Sequence, residues 1–150
     1  MPNATIATGP AVTTLEVRRT FAASRQRVFD AWTTAEALKQ WHAPENAEVQ
    51  RASVDFRVGG RYLIEMRGND GNLHRVGGEY REIDAPKRLV ITWAWQTGTR
   101  KSESIVTVEF HERGVETEVV LRHEGLVTEE ERAGHRHGWV GCFEKLAAVV

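Results

Sequence analysis

Between Ala52 and His123 one pattern recurs: short segments with large apolar residues at every second position, cut by turn-forming residues. Tyr62, Ile64 and Met66 alternate with Arg61, Leu63 and Glu65, and this period of two puts one set of side chains on one face of a strand. Further extended segments are predicted at 52–56, 74–83, 89–95, 105–110 and 115–123. The cuts between them have turn chemistry: Arg57-Val58-Gly59-Gly60, Asn69-Asp70-Gly71-Asn72, Asp84-Ala85-Pro86-Lys87 and Glu112-Arg113-Gly114, with a polar link from Gln96 to Lys101. Consecutive strands joined this tightly pair as antiparallel neighbours. No strand-helix-strand rhythm is present, so a parallel doubly wound sheet is excluded.

Helical signals flank this meander. After a first alternating strand at 13–21, with Leu15, Val17, Arg19 and Phe21 in phase, Ser24 is placed to cap a helix carrying Val28, Phe29 and Trp32. Thr33 and Glu36 have capping-box spacing for a second short helix with Leu38 and Trp41, ending near His42-Ala43-Pro44. Thr128 and Glu131 repeat the spacing before a last helix of roughly 22 residues, about 33 Å long. Its apolar stripe is Trp139, Phe143 and Leu146, joined by Cys142, Val149 and Val150. Gly134, Gly138 and Gly141 lie beside that stripe within about 60° of one another. Either the bare strip leaves room against the helix, or it lets another backbone pack closely.

These elements predict an α+β domain over residues 12–150, an antiparallel sheet covered by helices on one face, after a flexible tail over 1–11. The 150 residues suffice for one core without metal or disulfide. With 20 basic against 21 acidic side chains, the chain has no global field for nucleic acid or an anionic membrane. No run approaches the ~18 apolar residues of a membrane span, and residues 1–10 have no signal-peptide pattern, so a cytoplasmic location is expected. Cys142 is the single cysteine and reads as a small buried side chain.

No metal and no cofactor is expected. His135 and His137 point about 160° apart on a helix, while His42, His74, His111 and His123 lie in separate segments and read mostly as surface or rim histidines. The paired glycines Gly59-Gly60 and Gly77-Gly78 lack a phosphate-loop pattern and read as a turn and a crowded strand position. The strongest chemical signal is aromatic. Tyr62, Tyr80, Trp93 and Trp95 fall on neighbouring strands, Trp32 and Trp41 on the short helices and Trp139 on the long one. They form either a solid core or the lining of a pocket in which an indole N–H or a phenol orients an apolar ligand.

The ordered set of motifs resembles a known family. Arg19-Thr20-Phe21, Val28-Phe29-Asp30-Ala31-Trp32-Thr33, Val54-Asp55-Phe56-Arg57-Val58-Gly59-Gly60-Arg61-Tyr62, Gly78-Glu79-Tyr80-Arg81-Glu82-Ile83, Thr92-Trp93 and Gly138-Trp139 carry the likeness. It is to bacterial single-domain proteins similar to the C-terminal domain of the heat-shock-protein-90 ATPase activator, within the START-like, polyketide-cyclase-like (SRPBCC) superfamily. The resemblance implies a helix-grip fold: a curved antiparallel sheet around the long C-terminal helix, with two short helices after the first strand. It also implies a hydrophobic cavity between sheet and helix, where His42 stands in place of a second aromatic beside Trp41.

The expected function is binding of a small, mainly hydrophobic or amphipathic molecule in that cavity. Its candidate lining is Arg19, Trp32, Trp41, His42, Tyr62, Ile64 and Met66 from the first half of the chain. Tyr80, Trp93, Trp95, Gly138, Trp139 and Phe143 complete it. Two alternatives stand beside this. One is an enzyme of cyclase or hydrolase type using Arg19, His42, Glu65 or Tyr80; the other is a chaperone cofactor or regulatory interaction module. A homodimer through a sheet edge or Val149-Val150 is a further expectation.

Overall fold

The computed structural model describes residues 14–98 and 103–150. The tail expected over 1–11 and residues 99–102, part of the expected polar link, lie outside the described residues. In chain order the elements are β1 (Thr14–Phe21), α1 (Arg25–Asp30), α2 (Ala35–Trp41), β2 (Glu48–Val54), β3 (Arg61–Arg67), β4 (Leu73–Asp84), β5 (Arg88–Trp95), β6 (Ser104–Arg113), β7 (Glu116–Glu124) and α3 (Glu129–Val149). All pairings are antiparallel, in the order β1-β7-β6-β5-β4-β3-β2.

The meander from β2 to β7 follows the alternation in the sequence, and β1 adds beside β7. The wrapped, curved sheet that the resemblance implied is corrected by this order. Among the described residues β1 bonds only β7 and β2 bonds only β3, so five strands lie between the two edge strands and the sheet is open. The topology is helix-grip-like, but α3 lies against one face of the open sheet, next to β1 and α2.

Local chemistry sets the helix ends. Ser24 Oγ accepts from the Arg27 N–H at 3.3 Å and starts α1. At α2 the cap is Thr34, one residue beyond the expected Thr33; its Oγ1 accepts from the Ala37 N–H at 3.1 Å while the Thr33 hydroxyl donates back to Asp30 O. Thr128 Oγ1 caps α3 by accepting from Glu131 N–H, and the Glu131 carboxylate accepts from Val127 N–H at 3.0 Å. One orphan donor of the helix end is thereby satisfied, and the Glu131 side chain fixes the residue before the cap.

One end of the sheet-helix interface is solid. Trp32 and Trp41 meet edge-on at 4.6 Å between ring centroids, Phe29 meets Phe110 at 5.1 Å, and Phe143 of α3 meets Phe21 at 5.7 Å. The Trp41 indole N–H donates to Ala31 O at 2.9 Å and ties α2 back to the end of α1. Behind the loop after α2, Lys145 Nζ donates to Pro44 O at 3.0 Å and to Ala47 O at 2.7 Å. Beside it, Gly141 brings α3 so close to this loop that an added Cβ would stand 2.9 Å from Glu45 N. Close backbone approach therefore explains one of the three helix glycines.

Candidate functional site

The other end of the interface is hollow. A partly open pocket of about 350 Å³ lies between α3, the C-terminal halves of β3 and β5, and the end of α2. β5 contributes Trp93 and Trp95, β3 contributes Met66, and the α2 exit contributes His42 and Pro44. From α3 come Glu130, Glu131, Gly134, His135, Gly138, Trp139 and Cys142. The hollow exists because of what the helix lacks. A Cβ at Gly134 would meet nothing within 4 Å, and one at Gly138 only Pro44 Cβ at 4.0 Å.

Hydrogen bonds hold the aromatic walls in place. Trp95 Nε1–H donates to His135 Nε2 at 3.0 Å, while His135 Nδ1 lies 2.6 Å from Glu131 O. Because a carbonyl can only accept, Nδ1 carries the proton of this ring and Nε2 is left to receive the indole. A second relay lies behind the pocket. Trp139 Nε1–H donates to His123 Nδ1 at 3.1 Å, His123 Nε2 faces Ser104 Oγ at 2.7 Å, and Ser104 Oγ–H donates to Trp93 O at 3.2 Å.

The direction of that relay decides its chemistry. A buried Ser–His contact suggests a nucleophile and its base, but Trp139 occupies the lone pair on His123 Nδ1. Nε2 therefore carries the proton and donates to Ser104, so the imidazole has no free lone pair to accept the hydroxyl proton. Burial, with His135 nearby, pushes the His123 pKa down to about 3, in keeping with a neutral ring. No carboxylate orients it among the hydrogen bonds of the described residues. The relay positions Trp93 and Trp139; it does not activate Ser104.

Two polar atoms next to the hollow have no protein partner: His42 Nδ1 and Trp93 Nε1. Their residues are 3% and 5% exposed, and the rings stack at 5.8 Å between centroids. Burial holds the His42 pKa down at about 4, so the imidazole is neutral. Cys142 is a poor nucleophile here, because burial pushes its thiol up to about 12. Among the described residues no group of three or more His, Cys, Asp or Glu is placed to hold a metal ion.

The candidates named from the sequence divide between the two ends. His42, Met66, Trp93, Trp95, Gly138 and Trp139 line the hollow. Trp32, Trp41, Tyr62, Ile64, Tyr80 and Phe143 are buried in the core without lining it. Burial pushes both tyrosine phenols above their usual range, and Tyr62 donates to Thr92 O at 2.6 Å. Arg19 keeps the inward parity of β1 but is exposed, its guanidinium carbon 5.8 Å from the Phe21 ring centroid. Glu65 is engaged by Arg75 at 2.8 Å. Arg19, Glu65 and Tyr80 thus do not converge with His42.

His135, Gly134 and Pro44, which line the hollow, were not among the candidates, nor were His123 and Ser104 behind it. His123 and His42 are buried, against the surface or rim reading of most histidines. Period two carried the missing signal: His123 is in phase with Val119 and Leu121 on β7, and Ser104 with Val106, Val108 and Phe110 on β6.

Comparison with known proteins fixes the lineage of this architecture. The profile of the family described as "Activator of Hsp90 ATPase homolog 1-like protein" matches residues 22–150. The chain belongs to that family. Within the family it is similar to human "Activator of 90 kDa heat shock protein ATPase homolog 1", 28% identical over 127 residues. That stretch is 83% of this chain and 33% of the human protein, so the chain spans about a third of the length of the curated relatives it matches. Among solved structures it is similar to a protein of Chromobacterium violaceum, with a TM-score of 0.83 and 26% identity over 92% of this chain and 96% of that one. The AHSA1 protein of Silicibacter pomeroyi superposes with a TM-score of 0.80 at 28% identity, covering 90% and 95%. No helix among the described residues of this family member is long and apolar enough to cross a membrane.

Proposed function

We propose that this protein binds a small, mainly hydrophobic molecule in the hollow between α3 and β5. The observation that carries the reading is the hollow itself: about 350 Å³, walled by Trp93, Trp95, Trp139 and Met66, and left open by Gly134 and Gly138. Its size falls within the usual range of small-ligand pockets. His42 Nδ1 and the Trp93 indole N–H lack a protein partner and belong to residues that line the hollow, but both atoms are buried, so a small turn of either ring is needed before it can orient a ligand. Binding without turnover is the version favoured, since the Ser104–His123 contact is wired away from base catalysis and the other candidate groups are dispersed.

The test is titration of the intact protein with a panel of lipids, flavonoids and polyketides, followed by tryptophan fluorescence and amide NMR. Saturable shifts at Gly134, Gly138 and Trp93 are expected. Their absence across the panel, or saturable shifts only at residues remote from the hollow, would overturn the reading.

A second reading rests on the name of the human relative, an activator of a 90 kDa heat shock protein ATPase. This chain matches a third of that protein, so a chaperone partner is a separate proposal. It is tested by adding the purified protein to the chaperone of its own organism and measuring ATP hydrolysis. An unchanged rate together with no complex on gel filtration would remove it.

A further inference from the structure

The hollow does not end at Trp95. Pro44, Met66 and Trp95 form a wall shared with a second hollow of about 310 Å³. Its far side is made by the loop after α2 and the β3–β4 turn, where Glu45 and Asp70 supply carboxylates. The two spaces adjoin at these three residues and together make a groove in two parts, an aromatic inner part and a polar outer part.

The charge of this groove departs from that of the chain. The whole sequence carries 20 Lys and Arg against 21 Asp and Glu. The described residues lining the two hollows include Glu130, Glu131, Glu45 and Asp70, and no Lys or Arg is among them. Nearby basic groups are turned to other acceptors: Lys145 to the Pro44 and Ala47 carbonyls, and Arg67 to Gly71 O at 2.7 Å. The Asp70 carboxyl is held below its usual range, chiefly by the Asn72 N–H, and is ionised at neutral pH. His137 and His74 approach Glu45 and Asp70 at 4.0 and 3.8 Å.

The inner part suits the same ligand. Trp95, the tryptophan common to both hollows, has an electron-rich ring face of the kind that attracts an organic cation. Trp93, Trp95 and Trp139 crowd together, with Trp93 perpendicular to Trp95 at 5.7 Å and 5.0 Å from Trp139. An alkyl or aromatic body fits between these rings and Met66. An anionic headgroup would meet carboxylates in the described lining, while Lys145 and Arg67 stay behind it on backbone carbonyls.

We propose that the groove selects a cationic amphiphile, with its apolar body in the Trp93–Trp139 hollow and its ammonium group by Trp95, between Glu45 and Asp70. This rests on the ligand-binding reading above and adds the sign of the ligand's charge. Charge complementarity carries it, because attraction or repulsion across a partly exposed groove separates ligands of equal apolar area.

The experiment compares three probes of equal chain length below their micelle thresholds: decyltrimethylammonium, decanol and decyl sulfate. Binding to the intact protein is followed by tryptophan fluorescence and by amide shifts at Met66, Gly134 and Gly138. The ammonium probe is expected to bind about tenfold more tightly than decanol, and the sulfate more weakly than either. The paired substitution Glu45→Gln and Asp70→Asn should remove most of the ammonium preference and leave decanol affinity unchanged. Gly134→Leu should weaken all three by filling the hollow. Equal affinities, tighter sulfate binding, or an ammonium preference that survives the paired substitution would overturn the charge selectivity while the apolar pocket stands. Failure of all three probes to shift the hollow would count against the pocket reading itself.

Discussion

The two ends of the sheet-helix interface use the same residue types and reach opposite outcomes. At the closed end Trp32 lies against Trp41, Phe110 and Phe143, and space is filled. At the open end Trp93 and Trp95 are at least as bulky, yet a hollow of about 350 Å³ remains. The difference lies on α3. Its second half presents Phe143 and Leu146 to the core, whereas its first half presents Gly134 and Gly138. Aromatic strands alone therefore do not determine whether a core or a cavity forms; the volume offered by the facing helix does.

Truncation of an aromatic at each end breaks this comparison most directly. Phe143→Ala removes a 1% exposed side chain from a filled region and should cost about 3–5 kcal/mol. Trp95→Ala removes a half-buried side chain that already borders open space, so its cost should be less than half as large. Urea unfolding midpoints of both variants check the ordering. Equal losses would mean that the two ends are equally well packed.

Acid should act at the open end, because the two histidines with depressed pKa values, His42 and His123, both contact Trp93 and Trp139. Their folded-state values near 4 and 3 lie below the ordinary 6.5. Above about pH 6.5 these rings are neutral in both states, and stability is at its full value. As pH falls from there, the unfolded chain takes up protons that the folded chain refuses. Stability then drops by about 1.4 kcal/mol per pH unit for each ring, until the folded rings titrate. His42→Phe should remove about half of this contribution, read as the difference in slope between variant and wild type from pH 6.5 to 4.5. An unchanged slope would show that His42 is not buried neutral.

What the sequence made legible follows the same division. Alternation located the strands of the meander because each turns one face inward, and period two put Trp93 on one face with Ile91 and Trp95 without any knowledge of the fold. Openness was less accessible. Whether β1 and β2 meet depends on register and strand order, and no local pattern reports either. Arg19 shows the related limit of parity: it shares the inward phase of Leu15 and Val17, but its long stem lets the charge stay in solvent. His123 shows the converse, an inward-phase residue read as polar because its two hydrogen-bond partners are distant in sequence.

The helix glycines give the smallest and most discriminating effect, since one helix contains both environments. In a helix interior, glycine to alanine stabilises by about 1 kcal/mol when the methyl group meets no obstacle. At Gly134 nothing lies within 4 Å of the added Cβ, so Gly134→Ala should raise stability by close to that amount. At Gly141 the same methyl would stand 2.9 Å from Glu45 N and 3.4 Å from Pro44 Cα. These are backbone atoms, and the loop bearing them is fastened to α3 through Lys145, so they cannot rotate aside. The helix gain is therefore offset by strain, and Gly141→Ala should come out neutral to destabilising by about 1 kcal/mol. Thermal unfolding of the two single variants reads the contrast as shifts of opposite sign. Matching positive shifts would show that the α3–loop contact yields easily, and that nothing but helix propensity separates the filled end of the interface from the hollow one.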